Sequence, residues 1–238
     1  MLKALRVRRP DPHGSGSVDH IGLAGALDTL ASAGIGGLAT SLDEVTAYRD
    51  KMQLIDPDAL DADESLAYWL NLYNAGALHL AATAADSGET TVLRVPRPFD
   101  RPWAEVAGES LSLHDIEHGK IRRFRDPRIH AALVCGSASC PTLRREPYRG
   151  AGLETQLEAQ MLDFLHAGAA TTDGERLLLS RIFLWYGSDF VRPHRMPSYL
   201  PVAPGAVGRS LRRWLDPELA GLPVAFQPYD WGLACAIG

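Results

Sequence analysis

Residues 115–143 read DIEHGKIRRFRDPRIHAALVCGSASCPTL, and the conformation of the apolar run inside them decides what kind of sheet the chain builds. IHAALVCG is short and apolar, opened by the turn pair Asp126-Pro127 and closed by Gly136 and Ser137. That pattern predicts a buried strand with Cys135 at its C-terminal end and Cys140 in the following turn. The whole chain has only three cysteines and eight histidines. Two of each fall within this stretch, a concentration that a packed core does not require.

The turn itself favours chemistry. Gly136, Ser137 and Ser139 are small enough to let backbone pass close to a ligand with N–H groups turned inward. Pro141 suits the first position of a helix, which would set Cys140 at a helix N-terminus, where partial positive charge favours a thiolate. On alternation His130 and Cys135 face opposite sides of the strand, so His130 reads as a structural histidine that the turn can still bring near Cys140.

Working outward, residues 1–19 carry basic residues, prolines and a Gly-Ser run, and read as a flexible leader to a single domain over 20–238. Residues 20–55 predict two helices around a glycine cluster, the second capped by Ser41 or Asp43 and turning Val45, Tyr48 and Met52 inward. Residues 61–85 are the clearest helix, opening on Asp61, Asp63 and Glu64 and running without proline. Asn71 and Asn74 lie within its apolar length, and a buried amide there needs partners. Farther on, SLSL alternates like a strand, and Asp115 and His118, three apart, share a helix face. Glu117 and His118 are adjacent and point differently. Residues 153–166 read as an amphipathic helix, RLLLSRIFLWYGSDF as a strand followed by an aromatic segment, and Cys235 as a small buried hydrophobe. Trp69, Tyr73, Trp185 and Tyr186 suit a core as well as a pocket. The fold class that results is α/β or α+β: one mixed domain, helical in its N-terminal third, with a small central sheet.

A chain of 238 residues with 46% hydrophobic and 22% charged residues is ordinary for a globular protein. Its net charge of -5 leaves no basic surplus for nucleic acid. No run reaches the ~18 apolar residues of a membrane span, and the start lacks a signal peptide's apolar stretch, so the expected location is cytoplasmic. Three cysteines make no disulfide framework.

AYWLNLYNA (67–75), LHDIEHGKIR (113–122), DPRIHAALVCGSASCPTL (126–143), LSRIFLWYGSDF (179–190) and PYDW (228–231) occur in this order. The set resembles the domain-of-unknown-function 547 family over about residues 60–231, and CGSASCP is its most specific part. The resemblance implies that Asn71, Asn74, His118, His130, Cys135 and Cys140 occupy the family's polar motif positions. Members occur in bacteria, plants and animals, some beside a glutaredoxin or DEP domain, which favours thiol chemistry; the family carries no established activity.

The leading expectation is nucleophilic catalysis on an amide, ester or thioester, by hydrolysis or acyl transfer, without a cofactor. Cys140 is the preferred nucleophile over Cys135. His118 is the base, Asp115 or Asn71 its orienter, and the N–H groups of the 136–140 turn hold an oxyanion. Asn74, Gly136, Ser137 and Ser139 are assigned to a substrate that is a small molecule or is linked to an acyl carrier. The alternatives are a binding or scaffold domain, a zinc site on His118, His130, Cys135 and Cys140, and a Cys135–Cys140 redox pair. The sequence assigns no oligomeric state.

Overall fold

The structure is a computed structural model and describes residues 6–37 and 42–238. Helix α1 (Ile21–Ala33) packs on α2 (Leu42–Met52), which packs in turn on α3 (Ala62–Asp86). Val45, Tyr48 and Met52 of α2 are buried, as their helical spacing requires. The proposed cap Ser41 lies outside the described residues. The α3 helix starts where Asp61 accepts the Glu64 N–H, the capping arrangement its acidic opening predicts. It is buried along most of its length and forms the axis of the larger core.

Residues 8–18, part of the stretch read as a leader, lie along this body. Arg8 pairs with Asp58 at 2.7 Å and the Val18 N–H reaches Glu64 at 2.9 Å.

After α3 the chain forms a hairpin of β1 (Pro102–Val106) and β2 (Glu109–Ser112). Both turn residues, Ala107 and Gly108, have positive φ, the conformation that follows the twist of two antiparallel strands. A one-turn helix α4 (Leu113–Asp115) then widens into a π-helix, Ile116–Lys120, and tightens into a 3₁₀ turn, Ile121–Phe124. The amphipathic α6 (Leu153–Phe164) leads to β3 (Ala170–Thr172), β4 (Leu177–Leu179), α7 (Arg181–Trp185), α8 (Gly187–Val191), α9 (Pro204–Ser210) and β5 (Val224–Phe226). In this second sheet β4 pairs antiparallel with β3 and parallel with β5. Its apolar face joins α6, α7, α8 and α9 in a smaller core.

The mixed class is as expected, but the strand predicted at 129–136 is not present. Among the described residues there are two small sheets, and neither carries that run. Residues Ile129–Ala132 form one helical turn, named α5 by its position between α4 and α6, and Leu133 leaves it extended. Ile129 through Val134 are all buried, so the run has neither helical nor strand periodicity and its composition alone suggested a strand. Asp126 decides the matter locally, because its carboxylate accepts the Arg128 N–H at 2.9 Å and starts a turn. Among the described residues no helix is long and apolar enough to cross a membrane.

Candidate active site

Two asparagines on α3 hold the loops of the site. Asn74 donates to the Ala132 carbonyl at 2.9 Å and accepts the Val134 N–H at 3.1 Å. It therefore clamps the backbone entering the cysteine loop. Asn71 does the same for Tyr148, at 2.8 and 2.9 Å, and does not orient His118. Beyond the clamp, Gly136 has φ +78, and a Cβ there would lie 3.0 Å from Val92 and 3.1 Å from Ala81. Only glycine meets both conditions.

The expected helix at Pro141 does not form; residues 141–149 are irregular. The Cys140 N–H instead closes a turn on the Ser137 carbonyl at 3.0 Å. Ala138 and Ser139 donate to the carbonyls of Gly232 and Asp230 at 2.9 and 3.2 Å, and the Ser139 hydroxyl accepts the Asp230 N–H at 2.9 Å. These groups dock the C-terminal segment and are not free for an oxyanion or a substrate.

Cys140 nevertheless has its thiolate environment. Its Sγ accepts the Cys135 N–H at 2.9 Å and lies 3.4 Å from both the Ser137 and Tyr229 hydroxyls. Burial pushes the thiol up, but hydrogen bonds from the Cys135 thiol, Ser137 and Tyr229 outweigh it and bring Cys140 down to about 6. Cys135 moves the opposite way, far above an ordinary thiol, because it donates to Cys140, is buried and faces that sulfur's charge. Burial also raises Cys235, to about 12, as suits a packed thiol.

Both cysteines open on a cavity of about 220 Å³ whose polar lining includes Glu117, His118 and His130. The π-helix brings the adjacent Glu117 and His118 to this one cavity, with Glu117 Oε1 3.6 Å from His118 Nδ1. The sequence reading separated the two on regular helical geometry, which a π-turn alters. Asp115 is elsewhere: with Ser112 it forms a capping box, its carboxylate 2.7 Å from the Ser112 hydroxyl.

The orienter of His118 is Arg122, whose Nη1 lies 3.1 Å from Nδ1. A guanidinium only donates, so Nδ1 is the acceptor and the ring proton is assigned to Nε2. Burial is the main cause that lowers His118 to about 4, with Glu117 opposing and Arg122 adding to the shift. His118 is therefore neutral at pH 7, makes no ion pair with Glu117, and has no free lone pair for a base.

Arg122 also donates from Nε to Asp189 at 2.7 Å and from Nη2 to the Ser198 carbonyl at 2.9 Å. Asp189, on α8, takes His130 Nε2 at 2.9 Å. Burial would raise this carboxyl, but the bonds from His130 and Arg122 win and hold it at about 2. His130 stacks on Tyr186 with centroids 3.9 Å apart, and burial keeps its pKa below the ordinary value. With Nε2–H donated to Asp189, its Nδ1 carries the lone pair. The Glu117 carboxyl lies below its ordinary value: burial opposes this, while positive charge gained by His118 in acid, the Tyr186 hydroxyl, positive charge gained by His130 and the Arg122 guanidinium favour it.

Thus Cys140, Cys135, His118 and His130 come together, while Asp115, Asn71, Asn74, Gly136 and Ser139 serve the frame. Ser137 lies between the sulfurs, 3.0 Å from Cys135 Sγ. Sequence reasoning missed Glu117, Arg122, Asp189 and Tyr229. The available signal was their polarity inside the quoted runs LHDIEHGKIR, YGSDF and PYDW. The zinc arrangement does not form; among the described residues no three His, Cys, Asp or Glu side chains converge as ligands.

No curated protein matches the chain, and no solved structure does. A family match covers residues 57–165, from the approach to α3 through α6, and so includes both site cysteines, His118, His130 and Arg122. The later motifs at 179–190 and 228–231 lie beyond it. Over residues 57–165 the resemblance carried by the motifs therefore stands, and that segment matches the family described as "Protein of unknown function, DUF547".

Proposed function

We propose that the chain is a cysteine-dependent enzyme of acyl chemistry, hydrolysing or transferring an acyl group from a thioester, ester or amide through Cys140. The observation that carries this reading is the Cys140 sulfur, held by the Cys135 N–H at 2.9 Å and flanked by two hydroxyls at the wall of a cavity. A sulfur so solvated is a thiolate at neutral pH and needs no base to activate it.

The thiolate attacks the acyl carbon, a C–S bond forms, and the leaving group departs with the electrons of its broken bond. A thiolate leaving group requires no proton from the protein, which favours thioesters. The His118 Nε2–H, fixed by Arg122 on the other ring nitrogen, is a neutral donor for the oxyanion. Water then attacks the acyl-enzyme while His130 Nδ1 takes one of its protons, Asp189 stabilises the resulting imidazolium, and the C–S bond breaks to release the carboxylic acid and return Cys140 as its thiolate. Proton loss from His130 restores the starting state.

The test is to incubate the protein with short acyl thioesters and activated esters and to map adducts by mass spectrometry. An acyl mass on Cys140, absent from a Cys140→Ala variant of unchanged melting temperature, is the expected result. His130→Ala should accumulate the adduct. Absence of any adduct, with Cys140 alkylated only at the pH of an ordinary thiol, would sink the reading.

A further inference from the structure

The acyl mechanism uses Cys140 and leaves Cys135 without a chemical role. Its placement is nonetheless specific. The two sulfurs share the same hydroxyls: Ser137 Oγ lies 3.0 Å from Cys135 Sγ and 3.4 Å from Cys140 Sγ, and the Tyr229 oxygen is 3.4 Å from each. Between the two sulfurs the loop passes through Gly136, at positive φ, and the Cys140 N–H closes a turn on the Ser137 carbonyl at 3.0 Å. The Cys135 N–H donates to the Cys140 sulfur across this turn at 2.9 Å. Both side chains are only partly buried.

We propose that this loop is an oxidative modification site, in which a hydroperoxide oxidises Cys140 and Cys135 resolves the product as a Cys135–Cys140 disulfide. This rests on Cys140 being the reactive thiolate, and not on acyl chemistry. In the first step the Cys140 sulfur attacks the peroxide, an S–O bond forms, the O–O bond breaks, and the alkoxide or hydroxide leaves and takes a solvent proton. In the second, the Cys135 sulfur attacks Cys140, the S–S bond forms, the S–O bond breaks, and water leaves with the Cys135 proton. The two sulfurs give up two electrons and the peroxide takes them. The ring closed is short, so the bond adds little stability and an ordinary dithiol reduces it. Oxidation occupies the nucleophile, and reduction returns it.

Cys235 is the competing partner, since its thiol feels the Cys140 charge and both line a small adjoining pocket. Trypsin separates the possibilities, because Cys135 and Cys140 lie in peptide 129–144 and Cys235 in peptide 214–238. After one equivalent of hydrogen peroxide, peptide 129–144 should appear two hydrogens lighter and recover with dithiothreitol. In parallel, Cys140 alkylation should fall by about tenfold or more and return. In Cys135→Ser, dimedone should trap a sulfenic acid on Cys140, and excess peroxide should cause a loss that dithiothreitol does not reverse. A cross-link to peptide 214–238, sulfinic acid on wild-type Cys140 without a disulfide, or full recovery of Cys135→Ser would overturn the proposal. An acyl adduct without the disulfide rejects this inference alone, and the disulfide without an acyl adduct rejects the acyl reading alone.

Discussion

At the scale of single residues, Cys140 shows how a partly enclosed sulfur is kept charged by a few donors, each removable separately. Tyr229→Phe deletes one of them. The Cys140 pKa should rise from its value of about 6, and iodoacetamide alkylation at pH 6 should slow by about three- to tenfold, with little change at pH 9. Ser137→Ala should act in the same direction. Rate profiles over pH for the three proteins check this, and an unshifted midpoint in Tyr229→Phe would remove the hydroxyl from the explanation. Cys140 itself was legible in the sequence as a thiol in a turn of small residues. The cause of its ionisation was not, because Pro141 suggested a helix N-terminus while a true donor lies 89 residues away. His118 was likewise readable as a site histidine, but its tautomer depends on Arg122, one helical turn beyond it and pointed inward.

Among the elements, α3 acts as a rack on which Asn71 and Asn74 hang two loops by paired backbone bonds. Asn74→Ala leaves the Ala132 carbonyl and Val134 N–H buried without partners, at a cost of about 2–4 kcal/mol. It should also slow Cys140 alkylation, because the clamp ends one residue before Cys135. Asn71→Ala should cost a similar amount and leave that rate nearly unchanged, since Tyr148 lies outside the cysteine loop. Urea unfolding paired with alkylation kinetics measures both effects, and equal slowing in the two variants would contradict the separate roles. The α3 helix was legible because a long run without proline, acidic at its start, has one reading. The run 129–134 was misread because every residue in it is buried, and full burial erases the periodicity that separates helix from strand. The π-turn at Ile116–Lys120 has no signature in residue spacing, so the convergence of Glu117 and His118 was invisible.

For the whole molecule, burying neutral histidines ties stability to pH. His20 and His118 both titrate at about 4 against an ordinary 6.5, mainly through burial. As pH falls below 6.5 the unfolded chain binds protons that the folded chain refuses until about 4. Their contribution is complete above 6.5 and lost progressively down to 4, on the order of 3 kcal/mol for each histidine. Asp189, held at about 2, contributes above its ordinary 3.8 and loses that contribution only as pH falls from there toward 2. Urea midpoints at pH 7.5, 5.5 and 4.5 should therefore decline in order, and a flat series would show that these histidines take up protons while folded. The mixed class was legible from the helical first third and the alternating SLSL. The division into two cores was not, since it depends on β5 returning beside β4 from far along the chain.

The dependence of Cys140 on Tyr229 also has a consequence in time. A ribosome delivers residue 140 well before residue 229, and at typical elongation rates that gap lasts roughly ten seconds. Until the later segment emerges, the sulfur lacks its phenolic donor and its frame, and behaves closer to a free thiol. On the proposed reading, the growing polypeptide thus carries its nucleophile in a subdued form while it is exposed and unfolded, and arms it only on assembly.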